Sequence, residues 1–160
     1  TWCLVGSEMC IRDSNKISQY FIKKYYEPDL KLKFTNSLLK LANTSIDISD
    51  GLIDDLEKMI NRQSVSFHIF EKKIPISNSL SQLIKIKKLR KIDITSRGDD
   101  YQILFTANSN KSRIIKRISN NTGIKITKIG KIISGKNKSK IINIKNKQIE
   151  AKNKGYIHQF

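Results

Sequence analysis

At its main acidic cluster the sequence reads Ser45-Ile-Asp-Ile-Ser-Asp-Gly-Leu-Ile-Asp-Asp-Leu-Glu-Lys-Met-Ile60. The alternation of apolar and polar residues over 45–49 is typical of a strand. Gly51 then permits a tight turn, and the apolar residues that follow recur at helical spacing. We therefore predict a strand that runs directly into a helix starting near Gly51. Asp54 and Asp55 are expected on the solvated surface of that helix.

Strand and helix periods of the same kind recur on both sides of this stretch, without repeats or linkers. They predict an α/β (α+β) domain in which a mixed β-sheet is packed with helices on one face. The predicted helices cover 16–26, a short segment capped by Thr35 or Asn36, 78–86 and 110–119, and the predicted strands cover 65–70, 101–106, 125–134 and 140–145.

The chain is strongly basic, with 31 Lys and Arg against 14 Asp and Glu and a formal net charge of +17 at pH 7. Such a surplus attracts nucleic acid, anionic membranes or phosphorylated ligands. Most of it lies after Ala107, where the basic residues are mostly Lys and no aromatic residue occurs until Tyr156. Nucleic-acid surfaces favour Arg and interleaved aromatic rings. We therefore expect no nucleic-acid partner. The alternative interpretation is a small basic nucleic-acid-binding domain without catalysis.

The first 14 residues differ in composition from the rest of the chain, since they hold both cysteines and the only Trp. Cys3 and Cys10 do not complete a zinc set, because no further Cys follows. The stretch resembles translated adapter sequence. We expect residues 1–14 to be non-native and residues 15–160 to form the domain. No apolar run approaches the roughly 20 residues of a membrane span, so we expect a cytoplasmic protein without a membrane partner.

Two carboxylates mark the predicted turn between strand and helix. Asp47 ends the strand and Asp50 precedes the helix, at the edge of an α/β sheet where ligands usually bind. Carboxylate oxygens suit Mg²⁺, Ser49 adds a hydroxyl, and free N–H groups at the start of the helix suit an anion. A simple helix cap made by Ser49 or Asp50 is the alternative.

A second acidic turn, Arg97-Gly-Asp-Asp-Tyr101, precedes the apolar run 103–105. Gly-Asp pairs are most often plain turns, but carboxylates in this place can also recognise a cation. The chain ends in Lys154-Gly-Tyr-Ile-His-Gln-Phe160, an aromatic cluster that needs something to pack against.

Four motifs of the sequence, given at the end of this paragraph, resemble the thiamine-monophosphate kinase family in their residues, their order and their spacing. The similarity begins near Tyr26, ends at Phe160, and corresponds to the C-terminal half of that family. The resemblance implies the fold of the C-terminal domain of aminoimidazole ribonucleotide synthetase-like ATP-binding enzymes. The motifs are Asp47-Ile-Ser-Asp-Gly-Leu-Ile-Asp-Asp-Leu56, Gly98-Asp-Asp-Tyr-Gln-Ile-Leu-Phe-Thr106, Lys128-Ile-Gly-Lys-Ile132 and Gly155-Tyr-Ile-His158.

The resemblance implies that ATP and Mg²⁺ phosphorylate thiamine monophosphate to thiamine diphosphate by direct in-line transfer, with no catalytic side chain assigned in this chain. On the matching positions, Asp47 and Asp50 would be Mg²⁺ ligands and Ser49 an ATP contact. Asp99 and Tyr156 would contact the substrate. A carboxylate and an aromatic face suit the permanent cation of a thiazolium ring.

Arg97, Gln102 and Gln159 depart from the family's pattern, so the turn at 97–98 need not match the family's. The resemblance also implies a further N-terminal half that carries other Mg²⁺ ligands, much of the ATP site and a homodimer interface of the full-length protein. We expect that half to be missing here and the fragment to be inactive by itself.

Overall fold

The structure is a computed structural model that describes residues 15–27, 32–61, 63–98, 101–135 and 138–152. Two of the five predicted site residues, Asp99 and Tyr156, lie outside the described residues, as does the segment 1–14. None of the helices in the described ranges combines the length and the apolar character needed to cross a membrane.

The described residues form helices and short strands that alternate along the chain, as an α/β chain requires. The elements are α1 (Asn15–Tyr26), α2 (Leu32–Leu41), β1 (Thr44–Asp47), α3 (Leu52–Ile60), β2 (Val65–Phe70), the 3₁₀ turn Glu71–Lys73, α4 (Asn78–Ile86), α5 (Lys91–Thr95), β3 (Ile103–Thr106), the 3₁₀ turn Ser109–Lys111, α6 (Ser112–Thr122), β4 (Gly130–Ser134), β5 (Lys140–Ile142) and β6 (Gln148–Ile149).

The strands of the described residues form two separate ladders. The larger sheet has the order β4-β2-β5-β6, in which β2 runs parallel to β5 and the other pairs are antiparallel. The predicted mixed sheet is therefore confirmed. Strands β1 and β3 form a ladder of their own, in which Asp47 pairs with Ile103. This pairing brings the two acidic motifs to the same end of one ladder.

Helix α2 begins earlier than predicted. It starts at Leu32, so Thr35 and Asn36 are exposed residues within the helix and do not cap it. The earlier start places Phe34 in a buried position, 2% exposed, where its ring lies 5.6 Å from the ring of Phe105. Burial of a Phe side chain contributes roughly 1.5–3 kcal/mol, which outweighs the roughly 1 kcal/mol of a Thr or Asn cap.

Other differences concern short elements. Helix α5 was not predicted because five residues are too few to show a helical period. Its start is held by a tertiary contact, since the backbone N–H of Ile92 donates to Glu71 Oε1 at 3.3 Å. Strand β4 begins only at Gly130 and not at 125, and the two-residue strand β6 was also not predicted.

Helix α3 joins the two ladders through one hydrophobic core. Its apolar face packs with residues from β2, β3, α5 and β5, and each fully buried aliphatic side chain contributes roughly 1.5–3 kcal/mol. The start of α3, and with it the turn that follows β1, is thereby fixed against the core. The buried core residues are Ile48, Leu52, Ile53, Leu56, Met59, Phe67, Ile69, Ile74, Ile92, Leu104 and Ile141.

Candidate functional site

The predicted strand, turn and helix are present, and the turn consists of residues 48–51, called here the acidic loop. Asp47 is the exposed last residue of β1. Ser49 and Asp50 are half-buried within the acidic loop. Gly51 ends it with φ 128° and ψ 150°, a conformation that favours glycine because L side chains rarely adopt it. Three of the five predicted site residues thus lie within four positions of one another at one end of β1.

A buried carboxylate that the sequence analysis missed organises this loop. Asp55 is only 1% exposed, and its Oδ2 accepts the backbone N–H groups of Ser49, Asp50 and Gly51 at 2.9, 3.0 and 3.1 Å. The expectation that Asp55 lies on solvated helix surface is therefore wrong. A buried charge is stable only when hydrogen bonds satisfy it, and three donors converge on this oxygen.

The same geometry argues against the alternative of a simple helix cap made by Ser49 or Asp50. The residue before α3 is Gly51, and no side chain of the Ncap position bonds the helix start. Instead, Asp55 reaches back from the first turn of α3 to the loop. The N–H groups of Ser49, Asp50 and Gly51 are thus occupied and are not offered to an outside anion. A signal was present in the sequence, because acidic residues in the first turn of a helix interact favourably with its N-terminal dipole.

Lys58 lies among three carboxylates at the outer side of the loop. Its Nζ is paired with Asp50, lies 2.6 Å from Asp54 Oδ2 and 3.2 Å from Asp55 Oδ1. Hydrogen bonds to Asp50 first, and then to Asp54, raise the pKa of Lys58 well above its usual range. The ammonium group is therefore charged throughout the physiological range of pH.

The carboxylate set has the chemistry of a site for a hard cation. One oxygen from each of Asp50, Asp54 and Asp55 lies within 4.8 Å of the others. Oxygen donors at such spacing suit Mg²⁺, which takes one or two protein carboxylates and fills its other positions with water and phosphate. Asp47 is not a member of this group within the described ranges. Asp50 of the acidic loop, together with Asp54 and Asp55 of α3, thus fits a divalent cation.

The acidic loop is in backbone contact with residues 96–98 and 101–102, called here the facing segment. A Cβ on Gly51 would collide with the carbonyl oxygen of Ser96, and a Cβ on Gly98 would collide with that of Ser49. Each glycine therefore allows one of the two chains to approach the other.

Hydrogen bonds also join the acidic loop to residues 101–102 of the facing segment, which follow the two undescribed residues 99 and 100. The N–H of Ile48 donates to the carbonyl of Gln102 at 2.9 Å, and the N–H of Tyr101 donates to the carbonyl of Ile48 at 3.0 Å. Gly98 and Tyr101, which flank the predicted substrate residue Asp99, thus both contact the acidic loop. The position of Asp99 itself stays a prediction, as does that of Tyr156.

A cavity of about 290 Å³ lies between α3 and strands β5 and β6. Asp47, Ser49 and Asp50, the predicted site residues within the described ranges, do not line it. Five of its ten lining residues are apolar and five are polar or charged. The lining residues are Ile53, Glu57, Phe67, Lys138, Ser139, Ile141, Gln148, Ile149, Glu150 and Ala151.

Comparison with solved structures defines the class of the fold. The chain superposes on E. coli HypE, a hydrogenase maturation protein, with a TM-score of 0.57 at 10% identity. It superposes better on thiamine monophosphate kinase from Aquifex aeolicus, with a TM-score of 0.69 at 24% identity over 92% of this chain and 47% of that one. A structure of AaThiL complexed with AMPPCP and TMP gives a TM-score of 0.72 at 25% identity, over 97% and 47%. The chain therefore has the α/β fold that the aminoimidazole ribonucleotide synthetase-like ATP-binding proteins share.

Comparison with curated proteins narrows this class, although no family model matches the chain. The chain is 33% identical over 143 residues to thiamine-monophosphate kinase of Buchnera aphidicola subsp. Schizaphis graminum, which is 89% of this chain and 44% of that protein. It is 30% identical over 105 residues to the Aquifex aeolicus kinase, which is 63% of this chain and 34% of that protein. It is 28% identical over 117 residues to the Escherichia coli K12 kinase, which is 73% of this chain and 36% of that protein. The chain is a relative of the thiamine-monophosphate kinases, which confirms the resemblance of its motifs, and it spans less than half the length of the curated relatives it matches.

Proposed function

We propose that this chain is part of a thiamine-monophosphate kinase, which transfers the γ-phosphoryl group of ATP to a phosphate oxygen of thiamine monophosphate. The products are ADP and thiamine diphosphate. The observation that carries the proposal is the backbone contact between the acidic loop and the facing segment, which joins the two motifs most typical of these kinases. The kinase relatives favour this function over the alternative of a nucleic-acid-binding domain.

Asp47 and Asp50 are the proposed Mg²⁺ ligands, and Ser49 is the proposed ATP contact. The bound metal would neutralise phosphate oxygens during transfer. The three N–H bonds to Asp55 support these roles, because they hold Ser49 and Asp50 in one conformation before any ligand binds. Phosphoryl transfer depends on such positioning more than on a strong nucleophile.

Asp99 and Tyr156 are the proposed contacts to the thiamine part of the substrate. Support for Asp99 comes from its neighbours, since Gly98 packs on Ser49 and Tyr101 bonds to Ile48. Residues on both sides of Asp99 thus lie beside the acidic loop, which suits a substrate whose phosphate must meet ATP and whose ring carries a positive charge. The aromatic face of Tyr156 would add a cation–π contact of roughly 0.5–2 kcal/mol.

The complete site is proposed to need a second half of the enzyme. The chain matches 44% of the Buchnera kinase, and the acidic loop offers only some of the oxygen ligands that ATP-bound metal ions require. We propose that the remaining part supplies the other ligands and the interface of a homodimer, and that the 160-residue chain has no turnover by itself. Residues 1–14 are proposed to lie outside the functional domain.

A chimera tests this function directly. It joins the part of the Buchnera kinase that precedes the matched segment to residues 15–160 of this chain. With ATP, Mg²⁺ and thiamine monophosphate, the chimera should form thiamine diphosphate, whereas the 160-residue chain should form none. Asp50→Asn should abolish turnover in the chimera, and the matched control Asp93→Asn, whose carboxylate bonds the backbone of Lys152, should retain it. A folded chimera without turnover, or robust turnover by the chain alone, would contradict the proposal.

A further inference from the structure

Lys58 is the only residue of the described chain whose ammonium group contacts all three carboxylates of the cluster at the acidic loop. The oxygens of Asp50, Asp54 and Asp55 lie within 4.8 Å of one another, and Asp55 is 1% exposed. Three negative charges at this spacing repel each other strongly, because a partly buried site is screened less than open water. A cation among these carboxylates therefore stabilises the folded cluster.

The three carboxylates are not equally free to change partners. Asp55 is held by three backbone N–H bonds on its Oδ2 and so cannot follow a moving cation. Asp54 lies one helical turn before Lys58 and is about one-third exposed, so its ion pair is a local i,i+4 contact that needs no other element. Asp50 belongs to the acidic loop, and its pairing with Lys58 connects that loop to α3.

We propose that Lys58 is a tethered counter-ion, which holds the Asp50 carboxylate in the absence of a divalent cation and must give it up for the cation to bind. The inference rests on the proposed function, in which Asp50 is a metal ligand. An ammonium group and a metal ion compete for the same oxygen lone pairs, so Lys58 lowers the affinity of the site for metal. Its ion pairs with Asp54 and Asp55 offer Lys58 partners after the exchange.

The site opens when Lys58 moves away from Asp50. The four-carbon side chain allows such a move without a change in the backbone of α3.

Metal titration of the 160-residue chain tests the proposal without any need for turnover. Calorimetry with MgCl₂ alone, and with MnCl₂ alone, should show several-fold tighter binding for Lys58→Met than for the unchanged chain. Lys58→Arg keeps the charge and should restore the weaker binding. The gain of Lys58→Met should disappear when Asp50→Asn is added, and Lys85→Met on α4 is the matched control with no expected effect. Circular dichroism of each variant shows whether it is folded.

A second readout follows the lysine itself. In the metal-free chain the ¹⁵N-labelled ammonium group of Lys58 should give a signal protected from exchange with water. Added Mg²⁺ should shift that signal, because Asp50 is lost as a partner while Asp54 and Asp55 remain. Equal or weaker metal binding by folded Lys58→Met, or a Lys58 signal that does not shift at saturating Mg²⁺, would overturn the proposal. Absence of metal binding in both chains would overturn it as well. Failure of the kinase proposal is seen separately, as a chimera that binds metal but forms no thiamine diphosphate.

Discussion

The carboxylate of Asp55 accepts a hydrogen bond from the backbone N–H of Asp50 at 3.0 Å. Asp55 lies in the first turn of α3, four residues after Gly51. A buried residue of helix α3 thus fixes the backbone of the residue proposed to bind metal. The conformational entropy of the acidic loop is lost when the chain folds and not when a ligand binds. A loop prepared in this way loses little further freedom on binding.

Replacement of Asp55 by Ala should destabilise the chain more than any other single change in the acidic cluster. Three backbone N–H groups would lose their acceptor, and we expect the free energy of unfolding to fall by about 2–4 kcal/mol. Urea denaturation measures this. Asp54→Ala, which removes a partly exposed ion pair, is the matched control and should cost less than about 1 kcal/mol. Similar losses in the two variants would show that the Asp55 contacts do not order the loop.

A methyl group at Gly98 should separate the acidic loop from the facing segment. Its Cβ would collide with the carbonyl oxygen of Ser49, which is backbone and cannot move aside cheaply. We expect Gly98→Ala to lower the free energy of unfolding by about 2 kcal/mol or more, as steric insertion into a packed place does. Gly123→Ala is the control, since that glycine has φ +69° and no neighbouring atom within 4 Å. It should cost only the roughly 1–2 kcal/mol of a left-handed residue, and a larger loss at Gly123 than at Gly98 would contradict the close approach.

His68 should make the stability of the larger sheet depend on pH. Burial, and then the charges of Lys131 and Lys140 on the two neighbouring strands, lower the pKa of His68 from 6.5. The unfolded chain therefore binds the proton more readily than the folded one. The stability contribution is complete above about pH 6.5 and falls as the pH drops through that value towards the folded pKa.

The measurement is the free energy of unfolding, obtained from urea denaturation between about pH 5 and 8. His68→Gln should remove the fall in this free energy that protonation of His68 causes at low pH. Lys131→Gln should reduce that fall in part, since one of the two repelling charges is removed. Identical profiles for the unchanged chain and His68→Gln would show that the histidine is not perturbed in the folded state.

Asp47 and Asp99 should leave different kinetic signatures in an active chimera. Asp47→Asn should reduce kcat strongly, because a charge that holds Mg²⁺ stabilises the transition state. Asp99→Asn should act mainly through the KM for thiamine monophosphate if the proposed contact of Asp99 is equally strong in the ground state and the transition state. Steady-state kinetics at saturating Mg²⁺ separates the two. An unchanged kcat in Asp47→Asn would remove Asp47 from the proposed metal site.

Local periodicity was enough to predict the elements that are long or regular. Strand β2 and helix α4 have the predicted bounds, and the passage from β1 into α3 has the predicted form. Each of these depends on the spacing of apolar residues over a few positions, which the sequence shows directly. The motifs of the acidic loop also predicted the family, because they depend on residue types and their order. Helix α5 and strand β6 were missed because their short length carries no period.

The role of Asp55 could not be read from spacing. Its position on α3 lies beside the polar residues Asp54 and Lys58, and this pattern favours a solvated surface. Only the folded chain shows that the acidic loop turns back over the helix start and covers the carboxylate. The burial of a polar residue depends on what packs over it, and the sequence near that residue does not contain this information.

Sequence by itself determined the α/β class, the strand that leads into α3, and the residue types that suit a metal and a phosphate. The tertiary structure decided which of these residues meet. The acidic loop and the facing segment lie far apart in the chain, and they are joined because Asp47 pairs with Ile103 across β1 and β3 and because Gly51 and Gly98 admit the opposite backbone. Strand register and backbone contact are long-range properties, since they depend on the mutual packing of segments whose local sequences specify only their own conformation.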